Sequence, residues 1–278
     1  MFLKKWVICF TVFGGLLVCG KSATAQGLIW KLPQDGTWVE FEGKYSQTDF
    51  RPNSPDGDLE PAPWSRRLRI SSVGQQMAEF NGTMQLCRWI ELEVRTGRSD
   101  GGVIDTGPAG ARIYKVLVPE SKIINSTTDG DGIPISMIPI VKGYQKIGIG
   151  DTKPIPLNNN KSGVLQIYPV ISLLRHYKTL ESLSDQPEDA GINIPDITAR
   201  RYRSQKTMES PTSRSTHTAV LWRSPDMPFG VARWTVKILR EEKGSTEPRS
   251  AFKKVSEFSI EMKAGKIEGN AQSKIAEQ

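Results

Sequence analysis

The stretch from Thr218 to Leu239 decides the fold. It reads Thr-Ala-Val-Leu-Trp-Arg-Ser-Pro-Asp-Met-Pro-Phe-Gly-Val-Ala-Arg-Trp-Thr-Val-Lys-Ile-Leu. Both halves of the stretch are rich in β-branched and aromatic residues, and in the second half apolar and polar positions alternate. This pattern indicates two β-strands. In the second strand the alternation places four apolar side chains on one face: Ala232, Trp234, Val236 and Ile238.

The two strands are separated by Ser224 to Gly230, which contain two prolines and a glycine able to take a positive φ. This composition predicts a wide loop between paired strands, longer than a tight hairpin turn. The loop carries two large apolar side chains, Met227 and Phe229. We expect them either to cap the end of the core or to form the lip of a hydrophobic cleft.

Similar alternation elsewhere in the chain predicts further strands. They span residues 36–46, 66–73, 76–80, 83–96, 112–119, 196–208, 213–223 and 252–262. The Asn81-Gly82 pair predicts a tight turn between two of them. The clearest alternation places Glu91 and Glu93 together on one strand face, where they form either a carboxylate pair or a solvated surface. The 112–119 segment is apolar on both faces apart from Lys115, which is typical of a central strand.

One segment, Val164 to Leu180, changes to helical spacing and predicts the main helix, with Ile171 and Leu174 on its apolar face. The predicted fold is therefore mainly β (α+β): a strongly curved antiparallel sheet or half-barrel with one main helix packed on its concave face. Residues 26–262 form a single β-rich domain with a Pro/Gly-rich insertion at 121–157. Residues 263–278 show no apolar face and are expected to be a disordered tail.

The N-terminus has the pattern of a secretory signal peptide. A start with two lysines precedes the short apolar run Trp6 to Cys19, and the Ala23-Thr24-Ala25 site predicts cleavage before Gln26. An uncleaved anchor and a lipid anchor at Cys19 are the alternatives. Cleavage removes three lysines and lowers the formal charge from +7 to +4. No transmembrane segment is expected after cleavage, and the protein is expected in a bacterial periplasm or cell envelope, or secreted.

Cysteine and histidine usage limits the chemistry of the exported chain. Cys87 is the one cysteine left after cleavage, so an internal disulfide is excluded, and its strand context predicts a buried thiol. The two histidines of the chain lie on different elements, which excludes a zinc site built from paired histidines. The motifs of phosphate-binding loops, dinucleotide-binding folds and serine hydrolases are absent. We therefore expect no metal, no cofactor and no catalytic residues.

Basic residues show no run interleaved with aromatics that would indicate nucleic-acid binding. The most basic run is Arg200 to Arg203, which contains Tyr202. It is either a solvated strand face or a phosphate site.

Three blocks carry a resemblance to known proteins: Arg112 to Ser121, Ile138 to Tyr144, and Leu221 to Trp234 with its Pro-Phe-Gly loop. Together with the Trp-Val-Glu-Phe-Glu segment at Trp38, they resemble an uncharacterised family of secreted proteins from planctomycete bacteria. The strand order is more distantly similar to the periplasmic lipoprotein-carrier superfamily. That resemblance implies an antiparallel half-barrel that wraps a helix and shelters an acyl chain.

Three hypotheses of function follow. The first is a non-catalytic structural or interaction protein of the envelope, with another envelope protein as partner and a concave face filled by its own side chains. The second is a carrier for a lipid or lipoprotein acyl chain, whose cleft would be lined by six apolar residues: Met227, Phe229, Trp234, Val236, Ile171 and Leu174. The third is a hydrolase, which needs a nucleophile, a base and an orienting group within hydrogen-bond reach.

Overall fold

Antiparallel strands make up most of the chain in a computed structural model, which describes residues 27–124, 139–156, 163–164, 172–174 and 180–276. The strands are β1 (Trp38–Asp49), β2 (Trp64–Phe80), β3 (Thr83–Asp100), β4 (Val103–Asp105), β5 (Arg112–Pro119), β6 (Pro139–Ile140), β7 (Lys142–Ile147), β8 (Lys153–Pro154), β9 (Gly163–Val164), β10 (Glu181–Ser182), β11 (Glu188–Asp189), β12 (Thr198–Glu209), β13 (Ser213–Arg223), β14 (Val231–Glu242) and β15 (Lys253–Glu268). A short helix, α1 (Glu120–Ile124), follows β5, and two 3₁₀ turns span Gly107–Ala109 and Arg249–Ala251.

Within the described residues, thirteen strands form one antiparallel sheet that does not close on itself. Its order is β10-β12-β13-β14-β15-β1-β2-β3-β5-β7-β8, with β4 beside β3 and β11 beside β12. Neighbours in this order are mostly neighbours in sequence, so the sheet consists of two meanders. The meanders meet where β1 pairs with β15, which joins the two ends of the described chain at the middle of the sheet. The predicted antiparallel, mainly β fold is confirmed at this level.

The hairpin predicted within Thr218 to Leu239, which we call the organising hairpin, is present. β13 pairs with β14 so that Leu221 lies opposite Trp234 and Ala219 opposite Val236. The loop of residues 224–230 connects them, and Gly230 takes a φ of 85°. The Asn81-Gly82 turn is also confirmed, with φ values of 52° and 76° that match the type I′ turn favoured between paired strands.

The two faces of the sheet differ in chemistry. What we call the core face carries the main hydrophobic cluster, including Phe41, Leu68 and Val94, which lie opposite one another on β1, β2 and β3. What we call the back face carries alternating charged residues and tryptophans, such as Trp38 and Trp89. β5 lies between β3 and β7, which confirms that the 112–119 segment is a central strand.

The structure corrects several strand boundaries. The predicted strands 66–73 and 76–80 are one strand, β2, because a register shift between Ser72 and Gln75 restores the pairing with β3. The glycine-rich segment 97–110, which has the composition of a flexible loop, instead continues β3 to Asp100 and returns as β4. Two glycines with positive φ, Gly101 and Gly102, form the turn between them.

Two larger predictions also need correction. The insertion at 121–157 contributes β7 to the main sheet, where it pairs with β5. The prolines of the insertion favour an irregular loop, but β7 itself contains no proline. The tail at 263–278 is not disordered as a whole: β15 continues to Glu268, and residues 270–276 lie on the back face. Backbone pairing with β1 holds the end of this strand, and Ala264 and Ile267 pack against the main hydrophobic cluster on either side of a register shift.

Most of the predicted helix at Val164 to Leu180, including Ile171, lies outside the described residues. Its first residue pairs in the two-stranded β6–β9 sheet. Of its centre, residues 172–174 are described, and Leu174 is buried in the main cluster.

Candidate anion-binding cleft

The residues that the sequence assigned to an apolar cleft are packed into the core. Met227, Phe229, Trp234, Val236 and Leu174 all belong to the main hydrophobic cluster, and each is at most 3% exposed. Ile171 lies outside the described residues. The structure thus brings five of the six side chains together, and their burial closes them off from solvent.

Trp234 lies at the centre of this packing. Its ring meets that of Phe41 edge to face, with centroids 4.9 Å apart. Its indole N–H donates to the Ser172 carbonyl oxygen at 3.1 Å, which satisfies a polar group that burial would otherwise leave unpaired.

A different cleft lies at the end of the same hairpin. It measures about 520 Å³ and lies between the lead-in segment at Trp30 and Lys31, the 224–230 loop and the first residues of β12. Its lining residues are Trp30, Lys31, Pro187, Thr198, Ala199, Arg200, Tyr202, Arg223, Ser224, Pro225 and Gly230.

The lead-in segment forms one wall because the loop holds it. The Trp30 N–H donates to the Phe229 carbonyl oxygen at 2.9 Å, and the Lys31 ammonium donates to the Pro225 carbonyl oxygen. Gly230 makes this contact possible, since a β-carbon there would lie 2.9 Å from the Trp30 Cβ. The buried Met227 and Phe229 side chains anchor the loop from below.

Arg223 is the central cation of the cleft. Its guanidinium carbon lies 3.6 Å from the centroid of the Trp30 ring and 5.5 Å from that of Tyr202. Its Nε is buried without a hydrogen-bond partner, and no ion pair joins Arg223 to any carboxylate of the described residues. Ring contacts stabilise the cation but do not supply hydrogen-bond acceptors.

The neighbours of Arg223 add positive charge. Arg200 lies directly opposite Arg223 in the β12–β13 register, an arrangement that like charges make unfavourable. Lys31 completes a set of three cations, and the lining contains no aspartate or glutamate. The cleft therefore carries an excess positive charge that the described protein groups leave uncompensated.

Burial lowers the pKa of the Arg223 guanidinium below its usual value, and the nearby Tyr202 partly opposes this shift. Arginine still stays protonated in proteins because its pKa begins so high. The positive charge therefore remains, at the cost of partial desolvation. An anion with several acceptor oxygens is the partner that such a guanidinium binds best.

The lining provides hydroxyl groups but few groups for catalysis. Thr198, Tyr202 and Ser224 can donate hydrogen bonds to an anion. Histidine, cysteine and carboxylate side chains do not occur among the lining residues. No group of three or more metal-ligating side chains occurs within the described ranges.

The alternation of residues along β13 gives a sequence signal for this site. Arg223 continues the Ala219 and Leu221 phase, so it occupies the core-face position where an apolar residue is expected. Arg200 and Tyr202 belong to the basic run for which a phosphate site was one interpretation. Their proximity to Arg223 and Trp30 depends on register and on the lead-in segment, which local patterns do not specify.

Comparison of the chain with protein-family models and with curated proteins gave no match. In the part of the chain that the structure describes, no helix has the length and apolar character needed to cross a membrane.

Proposed function

We propose that this protein is a non-catalytic binding protein, exported to a bacterial envelope compartment, that binds a small molecule carrying a phosphate, sulfate or carboxylate group. Export is supported by the N-terminal pattern that ends at Ala25. The ligand class is supported by the charge of the cleft, and its size fits the range typical of small-molecule sites.

The observation that carries the proposal is the Arg200–Arg223 pair. Two arginines lie opposite each other across adjacent strands, and no carboxylate of the described residues pairs with Arg223. A protein usually balances such charge internally, because an uncompensated buried cation reduces its stability. An anion that both guanidinium groups contact would turn this repulsion into binding free energy.

The arrangement of the cleft favours binding over hydrolysis. The lining offers hydroxyl groups but no general base that would activate one of them. The acyl-chain carrier receives no comparable support, because five of the six side chains expected to line its cleft are packed together in the main hydrophobic cluster. The half-barrel curvature, the helix on the concave face and the resemblance to the planctomycete family and the lipoprotein carriers remain predictions.

Isothermal titration calorimetry at constant ionic strength tests the proposal. Inorganic phosphate, sulfate and citrate serve as probes, with chloride as the reference anion. We expect at least one polyvalent anion to bind, with an affinity that falls as salt concentration rises. Arg223→Met should weaken binding by about 10- to 100-fold, because hydrogen bonds to charged groups contribute about 1.5–3 kcal/mol.

The matched control is Arg203→Met. Arg203 is exposed on the same strand as Arg200 but lies on the opposite face, so its removal changes the net charge equally without touching the cleft. Equal weakening by both variants would show that binding follows only the overall charge. Absence of binding for all three probes would contradict the proposal.

A further inference from the structure

β2 and β3 continue past the strands that flank them and form a two-stranded arm, residues 75–86, with the Asn81-Gly82 turn at its tip. β1 pairs with β2 only as far as Ser71, and β5 pairs with β3 only from Cys87 onward. Within the described residues the arm has no third strand, so each of its two edges needs another form of cover.

The two edges of the arm differ in what covers them. On the β3 side α1 packs beside the arm, and the Ser121 hydroxyl donates to the Gln85 side chain at 2.7 Å. On the β2 side the Asp35 carboxylate accepts the Gly74 N–H at 2.9 Å, and the cover from the lead-in segment stops there. In the described part of the chain, the β2 edge is therefore open from Gln75 to the turn.

The backbone of the open edge points alternately toward β3 and away from it. Phe80 and Thr83 flank the two-residue turn as a hydrogen-bonded pair, so Phe80 and every second residue before it bond to β3. Gln75, Met77 and Glu79 lie between these positions, and their N–H and C=O groups point out of the arm. No backbone group of the described residues bonds to them from outside the arm. A row of such groups is a template for pairing with another strand.

Apolar side chains accompany this edge on one side of the arm. Met77 is 55% exposed and lies opposite Leu86, which is 41% exposed, and the neighbouring Met84 is 59% exposed. Residues 75–79 include none of the prolines and lysines that commonly protect an edge strand, and Glu79 is their one charged residue. Clustered apolar side chains beside an open edge indicate a surface that pairs with another protein strand.

We propose that this edge pairs with the same edge of a second copy of the chain, antiparallel about a twofold axis at Met77. Asp35 fixes the register, because it occupies the Gly74 N–H and leaves residues 75–79 as the part that can pair. With Met77 on the axis, Gln75 of each copy lies opposite Glu79 of the other. This inference does not depend on the proposed anion site, which lies in another part of the sheet.

This register is complementary to itself. The Gln75 amide donates one hydrogen bond to Glu120 and retains a second N–H, which can donate to the Glu79 carboxylate. The pairing keeps the two Glu79 carboxylates apart and places the two Met77 side chains side by side. The apolar patches of Met77, Met84 and Leu86 from the two copies then form one surface. One symmetric arrangement thus satisfies the backbone, the charges and the apolar side chains together, which favours a second copy as the occupant.

Analytical ultracentrifugation over a range of protein concentrations tests the contact. Two short strands bury less than the roughly 1,200 Å² of a standard interface, so we expect a reversible dimer whose proportion rises with concentration. Met77→Lys places two ammonium groups at the axis and should weaken dimerisation at least about tenfold. Met208→Lys is the matched control, because Met208 is also an exposed methionine of a strand but lies on β12. A monomer at every soluble concentration, or equal weakening by the two variants, would overturn the proposal.

Disulfide cross-linking tests the register directly. Met77→Cys places two thiols across the axis, where the Cα atoms of a hydrogen-bonded antiparallel pair lie about 5.5 Å apart, within the reach of a disulfide. In the same dimer the two copies of Glu79→Cys would lie about 13 Å apart along the strands, which is too far. Mild oxidation should therefore give a covalent dimer for Met77→Cys, whereas Glu79→Cys should stay at the level of the wild type, whose Cys87 is buried. Cross-linking of Glu79→Cys as readily as Met77→Cys, or of neither variant, would contradict this pairing.

Discussion

At the scale of single residues, Arg200 and Arg223 show how charge and register conflict. Two like charges that face each other on adjacent strands reduce stability. The same two charges favour the binding of an anion between them. Arg200 is the more informative residue to change, because it is exposed and makes no ring contact that its loss would disturb.

Arg200→Gln should therefore stabilise the anion-free protein and weaken anion binding at the same time. We expect the free energy of unfolding to rise by about 0.2–1 kcal/mol, the size of an unfavourable cross-strand charge pair. Urea denaturation with and without a bound polyvalent anion measures both effects. A variant that loses stability without anion would mean that Arg200 has a favourable structural role.

Trp234 and Met227 contribute to the core in the same way although one lies in a strand and the other in a loop. Both are 0% exposed. Trp234→Ala should reduce the free energy of unfolding by about 3–5 kcal/mol, and Met227→Ala by about 2–5 kcal/mol. Lys44→Ala, on an exposed position of β1, should change it by less than about 0.5 kcal/mol. If chemical denaturation shows Met227→Ala to be as mild as the Lys44 control, the loop is not part of the core.

At the scale of elements, the 224–230 loop depends on one glycine. Gly230 has a φ of 85°, and a β-carbon there would meet Trp30. Gly230→Ala should cost about 1–2 kcal/mol, because side chains are unfavourable at positive φ. It should also weaken anion binding, since Trp30 contacts Arg223. Gly265→Ala is the control, because a β-carbon at Gly265 meets nothing within 4 Å. Thermal unfolding and titration of both variants check the pair, and equal effects would contradict the assignment.

The contacts that Glu91 and Glu93 make with residues 273–275 depend on pH in opposite directions. Burial raises the pKa of Glu91 above its ordinary value of 4.5, although bonds from Ser273 and Lys274 and the charge of Lys115 oppose this. Burial alone would also raise the pKa of Glu93, but hydrogen bonds from Lys274 and Arg95 outweigh it and lower that pKa. Glu91 therefore contributes most below pH 4.5 and less as pH rises through its folded-state pKa. Glu93 contributes above pH 4.5 and loses its contribution as pH falls through its lowered pKa.

Glu91→Gln and Glu93→Gln separate these two parts. As pH rises from about 4 to 7, the stability of the wild type relative to Glu91→Gln should fall, whereas its stability relative to Glu93→Gln should rise. Urea denaturation across this range measures both differences. Parallel slopes for the two variants would show that the two carboxylates do not have the contrasting environments described.

At the scale of the whole molecule, β1 and β15 hold the two meanders together. Their register extends from the Trp38–Glu268 pair to the Asp49–Ser256 pair, so the central contacts of the sheet join residues about as far apart in sequence as the chain allows. Contacts of this kind form late and slow down folding. Until the meanders pair, β1 and β15 are both unpaired strand edges.

A chain that ends at Phe252 should therefore fail to fold. It lacks β15, which leaves unpaired edges on both β1 and β14. Far-ultraviolet circular dichroism should show no cooperative thermal transition, and the chain should aggregate. A chain that ends at Asn270 keeps all of β15 and should unfold cooperatively. A cooperative transition in the shorter chain would show that one meander is stable alone.

The sequence by itself determined the strands of the organising hairpin, the Asn81-Gly82 turn and the central position of β5. These features depend on local alternation and on glycine conformation, which a short window of sequence contains. The sequence also placed Met227, Phe229 and Trp234 at apolar positions, although it assigned them to a cleft. Whether an apolar side chain lines a cavity or fills a core depends on what covers it, and that is not a local property.

The tertiary structure alone decided the anion-binding cleft and the course of residues 270–276. Arg200 meets Arg223 only because β12 and β13 pair in one register, and Trp30 reaches them from a segment far away in sequence. The strand β7 and the end of β15 have little apolar alternation, since backbone hydrogen bonds to neighbouring strands stabilise them. Ile275 lies in the tail for which the sequence predicts disorder, yet it belongs to a cluster on the back face. Long-range register and coverage bring these groups together, and both arise only when the sheet has formed.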